Sequence, residues 1–279
     1  MQARELDWSA LARQWDTSGA QWNTPVAERL VELAGLRSGM TVLDVGCGAG
    51  AATFAAARAV GETGRVIGVD NAAAMVHRAR YDGRDRGIRN VLFALEDAAQ
   101  LSYPAGTFDA VISSMVVSYL PEPAKALLGW RYVLKPRGLL AFSWVAHDDP
   151  AWQPVLAAVD RFVPAGQTGW TQRKRRTIPG MEALLPPELS VVTITEPFTT
   201  RYKNAGHFWE SSWMQAPATA WSQIPESQRH EARAAAFEVL AGLAARDGSL
   251  ERTRTVCYTI GRLPSPATVQ APGGRRLTP

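Results

Sequence analysis

Residues 41–50, TVLDVGCGAG, place three glycines within five positions directly after a hydrophobic run. Five apolar or buried-type residues followed at once by bare backbone read as a strand that stops abruptly. The alanine-rich segment AATFAAARAV that follows reads as a helix. A glycine-rich turn between a strand and a helix lets a ligand approach the main chain closely and aims the free N–H groups of the helix start at it. The chain is thereby committed early to strand–turn–helix units and to a ligand at their junction.

The alternation continues. RVIGV (65–69) is followed by a helix from Asn71 to about Tyr81, then NVLFAL (90–95), FDAVISS (108–114), a helix from about Pro123 to Leu134, and GLLAFSW (138–144). Strands separated by helices need right-handed crossovers, which give a parallel sheet with both faces covered. The apolar runs are continuous rather than alternating, as strands buried on both faces require. After Trp144 the pattern changes. PAWQPVLAAVDRF predicts a helix, SVVTITEPF (190–198) and TVCYTIGRL (255–263) predict strands, and the insertion between those strands is mostly helical. The expected architecture is a Rossmann-like α/β fold. It has a mainly parallel seven-stranded sheet, helices on both faces, an antiparallel last strand and a mostly helical cap. The expected organisation is a helical cap segment over 1–40, a cofactor-binding core over 41–198, a cap insertion over 199–250, the final strand over 251–263 and a flexible tail over 264–279.

Composition bounds the classes. With 46% hydrophobic and 20% charged residues, the 279-residue chain can bury a sizeable core. No apolar run approaches the roughly 20 residues that span a bilayer, and the first sixteen residues, with early acids, carry no apolar signal core. The formal charge of +4 is mild, and the one dense basic run, RKRR (173–176), reads as a solvated loop or, less simply, a phosphate patch. Two cysteines, Cys47 and Cys257, give neither a disulfide framework nor metal-site spacing. The expectation is a cytoplasmic enzyme, monomer or homodimer, with a small-molecule substrate, no metal, no nucleic acid and no membrane.

The polar residues around the glycines define the ligand further. Asp70 ends the second strand, twenty residues after Gly50, where a carboxylate can accept both ribose hydroxyls of an adenosine. Gly46, Gly48 and Ala51 also satisfy the dinucleotide pattern G-x-G-x-x-G/A, so a nicotinamide oxidoreductase is a rival at this point. Asp44, two residues before the first glycine, suits a cationic ammonium and is unwelcoming to a pyrophosphate. Asp97 and Ala98, in LEDAAQL after the third strand, can meet the exocyclic amine of adenine.

The ordered set Asp44-x-Gly46-x-Gly48-x-Gly50, VIGVD, EDAAQLSYPAGTFDAVISS and YVLKPRG resembles the class I S-adenosylmethionine-dependent methyltransferases. Within them it is similar to the subgroup that includes the ubiquinone/menaquinone-biosynthesis enzymes and many small-molecule methyltransferases of bacterial secondary metabolism. The resemblance covers about residues 25 to 145. It implies S-adenosyl-L-methionine as cofactor. The Gly46–Gly48–Gly50 turn would then pass under its methionine part, with Asp70 on the ribose. Asn71 and Met75 would flank the adenosine, Asp97 and Ala98 the adenine edge, and Ser114 the methionine amine. The sequence departs from the pattern at Arg137, where the family usually has a glycine, and at Asn71, which replaces the usual serine and keeps N-cap chemistry. Cys47 reads as a small side chain in a tight turn, since methyl transfer from a sulfonium needs no enzyme nucleophile. The same cofactor motifs would also serve non-methylating chemistry on this fold, such as a cyclisation.

Acceptor recognition falls outside the recognisable core. Candidate bases on segments leaving strand ends are His147, Tyr119 and His207, although each also reads as a polar loop residue. Where amine methyltransferases acting on nucleobases carry Pro-Pro-aromatic, this chain has SSMVVSYL. Eight of ten tryptophans lie outside 41–150. Trp15, Trp22, Trp209 and Trp213 read either as core anchors or as the walls of a pocket for a small hydrophobic or aromatic acceptor.

Overall fold

A computed structural model describes residues 17–167, 171, 177–213 and 218–263. Trp15, the basic run 173–176 and the tail 264–279 lie outside the described residues. The seven strands are β1 (Thr41–Val45), β2 (Arg65–Asp70), β3 (Val91–Leu95), β4 (Phe108–Ser114), β5 (Leu134–Asp148), β6 (Ser190–Tyr202) and β7 (Leu250–Arg262). They form one sheet in the order β3-β2-β1-β4-β5-β7-β6. β3 through β5 pair in parallel, and β7 runs antiparallel between β5 and β6.

Neighbouring residues on the inner strands point into opposite cores, which is why both must be apolar. Val42, Ala110 and Leu139 join one cluster with α1 (Thr17–Ala34) and α2 (Ala51–Val60), while Leu43, Val111 and Leu140 join a second with α4 (Pro123–Tyr132). Helix α3 (Ala73–Asp85) sends Val76 and Ala79 against Phe54 and Phe93. Helix α1 carries Trp22, Val26, Ala27 and Leu30 into the first cluster, so its apolar face covers the sheet itself.

The second half differs from expectation in the length of its strands. β5 spans 15 residues and β6 and β7 span 13 each, against five to seven in β1–β4. The last β4–β5 pair is Ser114 with Ser143, so β5 continues five residues beyond β4, still paired with β7 as far as Asp148 and Arg254. Between Thr199 and Tyr202, β6 and β7 continue as a two-stranded ribbon. The ribbon ends in a third core formed by α5 (Gln153–Asp160), α7 (Ala205–Ser212), α8 (Ala218–Trp221) and α9 (Arg229–Ala241). Trp152, Tyr202, Phe208 and Trp221 fill its centre. Helix α5, on the core side of the expected boundary, therefore packs with the insertion. A short helix, α6 (Ile178–Glu182), adds Met181 to the second cluster. All of the third core attaches at the edge of the sheet where β1, β4 and β5 end. Among the described residues no helix is long and apolar enough to cross a membrane.

Candidate functional site

β1 and β4 lie side by side, and the chain leaves them towards opposite ends of the sheet. Their carboxyl ends therefore open a crevice between the diverging connections. The glycine turn sits there. Gly46 N and Cys47 N both donate to Val69 O, at 2.8 and 2.9 Å, which ties the turn to β2. Side chains are excluded at its two flanks by the protein itself. A Cβ on Gly46 would run into Val116, and one on Gly50 would lie 2.7 Å from the Phe54 ring. Gly48 is different. Its φ is +52°, and a Cβ there would meet nothing within 4 Å. The middle of the turn is bare towards open space.

Two acidic groups lie beside the turn, and a third follows β3. Asp70 bridges the two turns: Gly48 N donates to its Oδ2 at 2.8 Å and Ala72 N to its Oδ1 at 2.9 Å. Burial raises its pKa, against those backbone bonds. Asp44 is fully buried. Its Oδ2 accepts from Thr53 Oγ1 at 2.6 Å, whereas its Oδ1 has no hydrogen-bond partner. Burial pushes its pKa up to about 7; the Thr53 bond opposes the rise and the charge of Asp70 adds to it. An unsatisfied buried carboxylate oxygen is expensive unless a donor arrives. Asp97 is exposed on the loop after β3, where its Oδ1 accepts from Ala99 N at 2.8 Å. The open cradle at Gly48 and the orphaned oxygen of Asp44 fit an adenosyl amino acid whose ammonium is the missing donor.

The remaining expected cofactor residues sit at the same edge. Met75 is buried against Ala72 and Ala49. Ala98 O accepts from Trp130 Nε1 at 2.7 Å, which fixes the loop after β3. Ser114 Oγ lies 3.1 Å from Ser143 Oγ at the ends of β4 and β5. Asn71 is exposed and does not cap α3 as its residue type led us to expect. The N-cap position is Ala72, without a side-chain cap, and the Asp70 carboxylate takes the Ala72 N–H instead. Cys47 is buried and its thiol is held well above its usual pKa, chiefly by burial, so it stays protonated.

The expected acceptor residues do not converge on one point. His147 is exposed on β5, beside a register shift opposite β7. His207 lies in the first turn of α7; its Nδ1 accepts from Lys203 N at 3.1 Å and its ring meets Tyr202 at 5.9 Å. Tyr119 ends a single 3-10 turn after β4. Trp209 and Trp213 are half-buried on the third core, with Trp209 stacked on Trp221 at 5.8 Å. Trp22 is only 5% exposed, edge-on to Phe198 at 4.6 Å.

Sequence reasoning missed several residues that shape this site. Met115, directly after β4, adopts φ +62°, a left-handed conformation rare for a long side chain; its N–H donates to Ser143 O at 3.1 Å. No sequence signal marks it. Arg252 and Asp148 form a buried ion pair with a second bond, Nε to Oδ1, at 2.9 Å. Arg254, two residues on, donates to Thr200 Oγ1 at 3.0 Å, with its guanidinium 3.8 Å from the centre of the Trp22 ring. A two-residue period in LERTRTV would have placed Arg252, Arg254 and Val256 on one face. A hollow of about 320 Å³ lined by Arg80, Gly83, Val91 and Phe93 lies on the outer α3–β3 edge, away from these groups.

Comparison with known proteins agrees with this geometry. Residues 36–175 match the model of a methyltransferase domain family. The chain is 38% identical to nocamycin O-methyltransferase from Saccharothrix syringae, over 91% of this chain and 96% of that protein. It is 39% identical to aklanonic acid methyltransferase DauC from Streptomyces sp. strain C5, over 46% of this chain, and spans 59% of that relative's length. Among solved structures it shares the fold of the YcgJ protein of Bacillus subtilis, with a TM-score of 0.61 at 17% identity over 87% of this chain and 99% of that one.

Proposed function

The chain belongs to the S-adenosylmethionine-dependent methyltransferases, and from that premise we propose that it methylates a small hydrophobic or aromatic acceptor in bacterial secondary metabolism. The observation that carries the reading is the pairing of an open Gly48 with an orphaned, fully buried Asp44 oxygen at the head of the sheet. The two relatives described above are named for methyl transfer to aklanonic acid and nocamycin, which supports the acceptor class. The acceptor tryptophans are proposed as pocket walls only where a ring edge reaches the crevice, since Trp209 and Trp213 are largely engaged with Trp221.

In this reading Asp44 holds the ammonium of the cofactor and Asp70 accepts from its ribose hydroxyls while keeping the Gly48 turn in place. Gly46 and Gly50 shape that turn. Met75 packs beneath the adenine, Asn71 borders it, and Asp97 and Ala98 meet its edge. Ser114 closes the methionine end. S-adenosylmethionine, when bound, supplies an electrophilic methyl group. The chain contributes position and the exclusion of water. Tyr119, His147 and His207 are the groups from which a proton acceptor would come where the acceptor arrives protonated. An acceptor already ionised requires none of them. A cytoplasmic location follows from the same reading and is consistent with two buried free thiols.

Titration calorimetry with S-adenosylmethionine and S-adenosylhomocysteine tests the cofactor assignment. Saturable binding by the wild type and its loss in Asp44→Ala are expected. A folded wild-type protein that binds neither compound would refute the assignment.

A further inference from the structure

Asp44 keeps Oδ1 open while a group from another element holds its other oxygen. Thr53, in the first turn of α2, is as fully buried as Asp44 itself. Its hydroxyl carries one proton, and that proton is committed to Asp44 Oδ2 at 2.6 Å. A threonine hydroxyl in a helix commonly turns back on the carbonyl one turn earlier. Here it reaches instead to β1, nine residues back along the chain. The bond restrains rotation of the carboxylate and leaves Oδ1 as the oxygen without a partner.

Room for this contact comes from β2. Gly68 lies opposite Asp44 in the parallel register, inside a strand, where glycine weakens pairing. Its φ is not left-handed, so no turn requires it. A Cβ on Gly68 would stand 2.8 Å from Thr53 Oγ1, 2.9 Å from the Phe93 ring and 3.0 Å from Cys47 Cβ. Glycine at this place in VIGVD therefore leaves the Thr53 hydroxyl free to sit against Asp44. The other strand neighbour of Asp44, Ile112 on β4, is apolar. The titratable groups that face Asp44 are Asp70, at the end of β2, and the Cys47 thiol in the turn. Burial raises the Asp44 pKa; the Thr53 hydroxyl opposes the rise, the charge of Asp70 adds to it, and the Thr53 main-chain N–H opposes it further.

We propose that Thr53 is a positioning residue for cofactor capture: its hydroxyl holds Asp44 Oδ2, and so keeps the carboxylate charged and Oδ1 available to the cofactor's ammonium. This rests on the reading of Asp44 as the ammonium's partner and adds the group that prepares it. A hydrogen bond donated to a carboxylate favours its charged form, and does so more strongly where water is excluded. On binding, a protonated Asp44 gives its proton to solvent and the ammonium takes the place of that proton. The main-chain N–H of Thr53 is unaffected by its side chain, so substitutions there isolate the hydroxyl.

The test is calorimetric titration of S-adenosylhomocysteine into the full chain at pH 6, 7 and 8, with wild type, Thr53→Val and Thr53→Ser. Valine keeps the shape and removes the donor; serine keeps the donor. Loss of the bond should raise the Asp44 carboxyl by about one pH unit, the lower end for a hydrogen bond to a charged group. Thr53→Val is then expected to bind about tenfold more weakly than wild type at pH 6 and only about twofold more weakly at pH 8, because ionisation is complete enough there in both. Thr53→Ser should stay within about threefold of wild type throughout. The ligand's own amine titrates alike for every variant and cancels in these ratios. Thr53→Ala carries the same comparison should the valine variant fail to fold. In the ligand-free protein, carbon-13 NMR of the Asp44 carboxyl should show the same upward shift in Thr53→Val and little shift in Thr53→Ser. A merely structural Thr53 would change the melting temperature and leave the affinity ratio constant with pH. A constant ratio, or an unmoved carboxyl midpoint, would overturn the positioning role while Asp44→Asn still loses affinity. Wild-type affinity in Asp44→Asn would overturn the Asp44 reading itself, and the role of Thr53 with it.

Discussion

Around the glycine turn the buried ionisable groups are carboxylates, Asp44 and Asp70; where β5, β6 and β7 outrun the rest of the sheet they are the guanidiniums of Arg252 and Arg254 together with the carboxylate of Asp148. The two regions share one sheet, yet differ in the buried groups they carry. The first keeps one carboxylate oxygen, Asp44 Oδ1, unsatisfied. The second holds its charge in an ion pair with Asp148 and among aromatic rings and hydroxyls.

The comparison breaks most sharply at Arg252. Replacing it with methionine leaves Asp148 buried with its main partner removed, and we expect a loss of about 3–5 kcal/mol in unfolding free energy. Chemical denaturation measures it; a loss below 1 kcal/mol would mean that the ion pair is not a structural element of the extension. On the other side, Asp70→Ala should weaken S-adenosylmethionine binding by about 1.5–3 kcal/mol, the scale for hydrogen bonds to a charged group. Because Asp70 also holds Gly48 N, the loss should exceed that of Asp97→Ala, whose carboxylate is exposed. Equal losses in calorimetry would remove the distinction between the two acids.

Asp44 sharpens the contrast through pH. Its pKa is raised from 3.8 to about 7 in the folded chain, so the folded state keeps a proton that the unfolded state has released. In the ligand-free protein this group must therefore lower stability as pH rises from about 4 to about 7, and Asp44→Asn should remove that part of the slope. Ammonium binding needs the ionised form, so S-adenosylmethionine affinity should rise roughly fivefold to tenfold between pH 6 and pH 7.5, before the ligand's own amine titrates. An affinity flat across that range would show that Asp44 is already ionised or not engaged. The smallest effect is expected at Arg137, which adopts φ +64° within β5, between the Phe108–Leu134 and Ala110–Leu139 pairs where the register shifts. Arg137→Gly should raise stability by about 1 kcal/mol, the cost of a left-handed residue less the added freedom of glycine. A lower melting temperature would show that its side chain contributes more than the strain removes.

The first half of the molecule was legible because its physics is local. A strand buried on both faces must be apolar at every position, and helix α2 began and ended where AATFAAARAV did. The ribose acid and the glycine turn follow from backbone geometry that few residues satisfy. The second half was less legible because its buried positions are not apolar. In LERTRTV the inward residues include Arg252 and Arg254, so the alternation that marks a half-buried strand was hidden, and the run that reads as a strand, TVCYTIGRL, begins five residues inside β7. The same holds for Asp148 at the end of β5. Met115 could not have been found, since its strain arises from the meeting of β4, Ser143 and the following turn. Of the two readings of the tryptophans, Trp22 is buried in the first core, while Trp209 and Trp213 are half-buried against Trp221 in the third.

The place of β7 has a consequence for how the molecule comes into being. The strand made last, Leu250–Arg262, is inserted between β5 and β6 rather than added at the rim. Until those residues have been synthesised, one edge of β5 is exposed and β6 has no sheet to join, while β1 to β4 already possess all their neighbours. Assembly is therefore expected to proceed in two acts, with the glycine-turn half compact first and the arginine-bearing half waiting on pairings far apart in the chain, the slow kind. During that interval the unpaired edges of β5 and β6 are the surfaces most exposed to mispairing. A chain cut short of residue 250 would keep the recognisable motifs while never forming the extension of β5, β6 and β7.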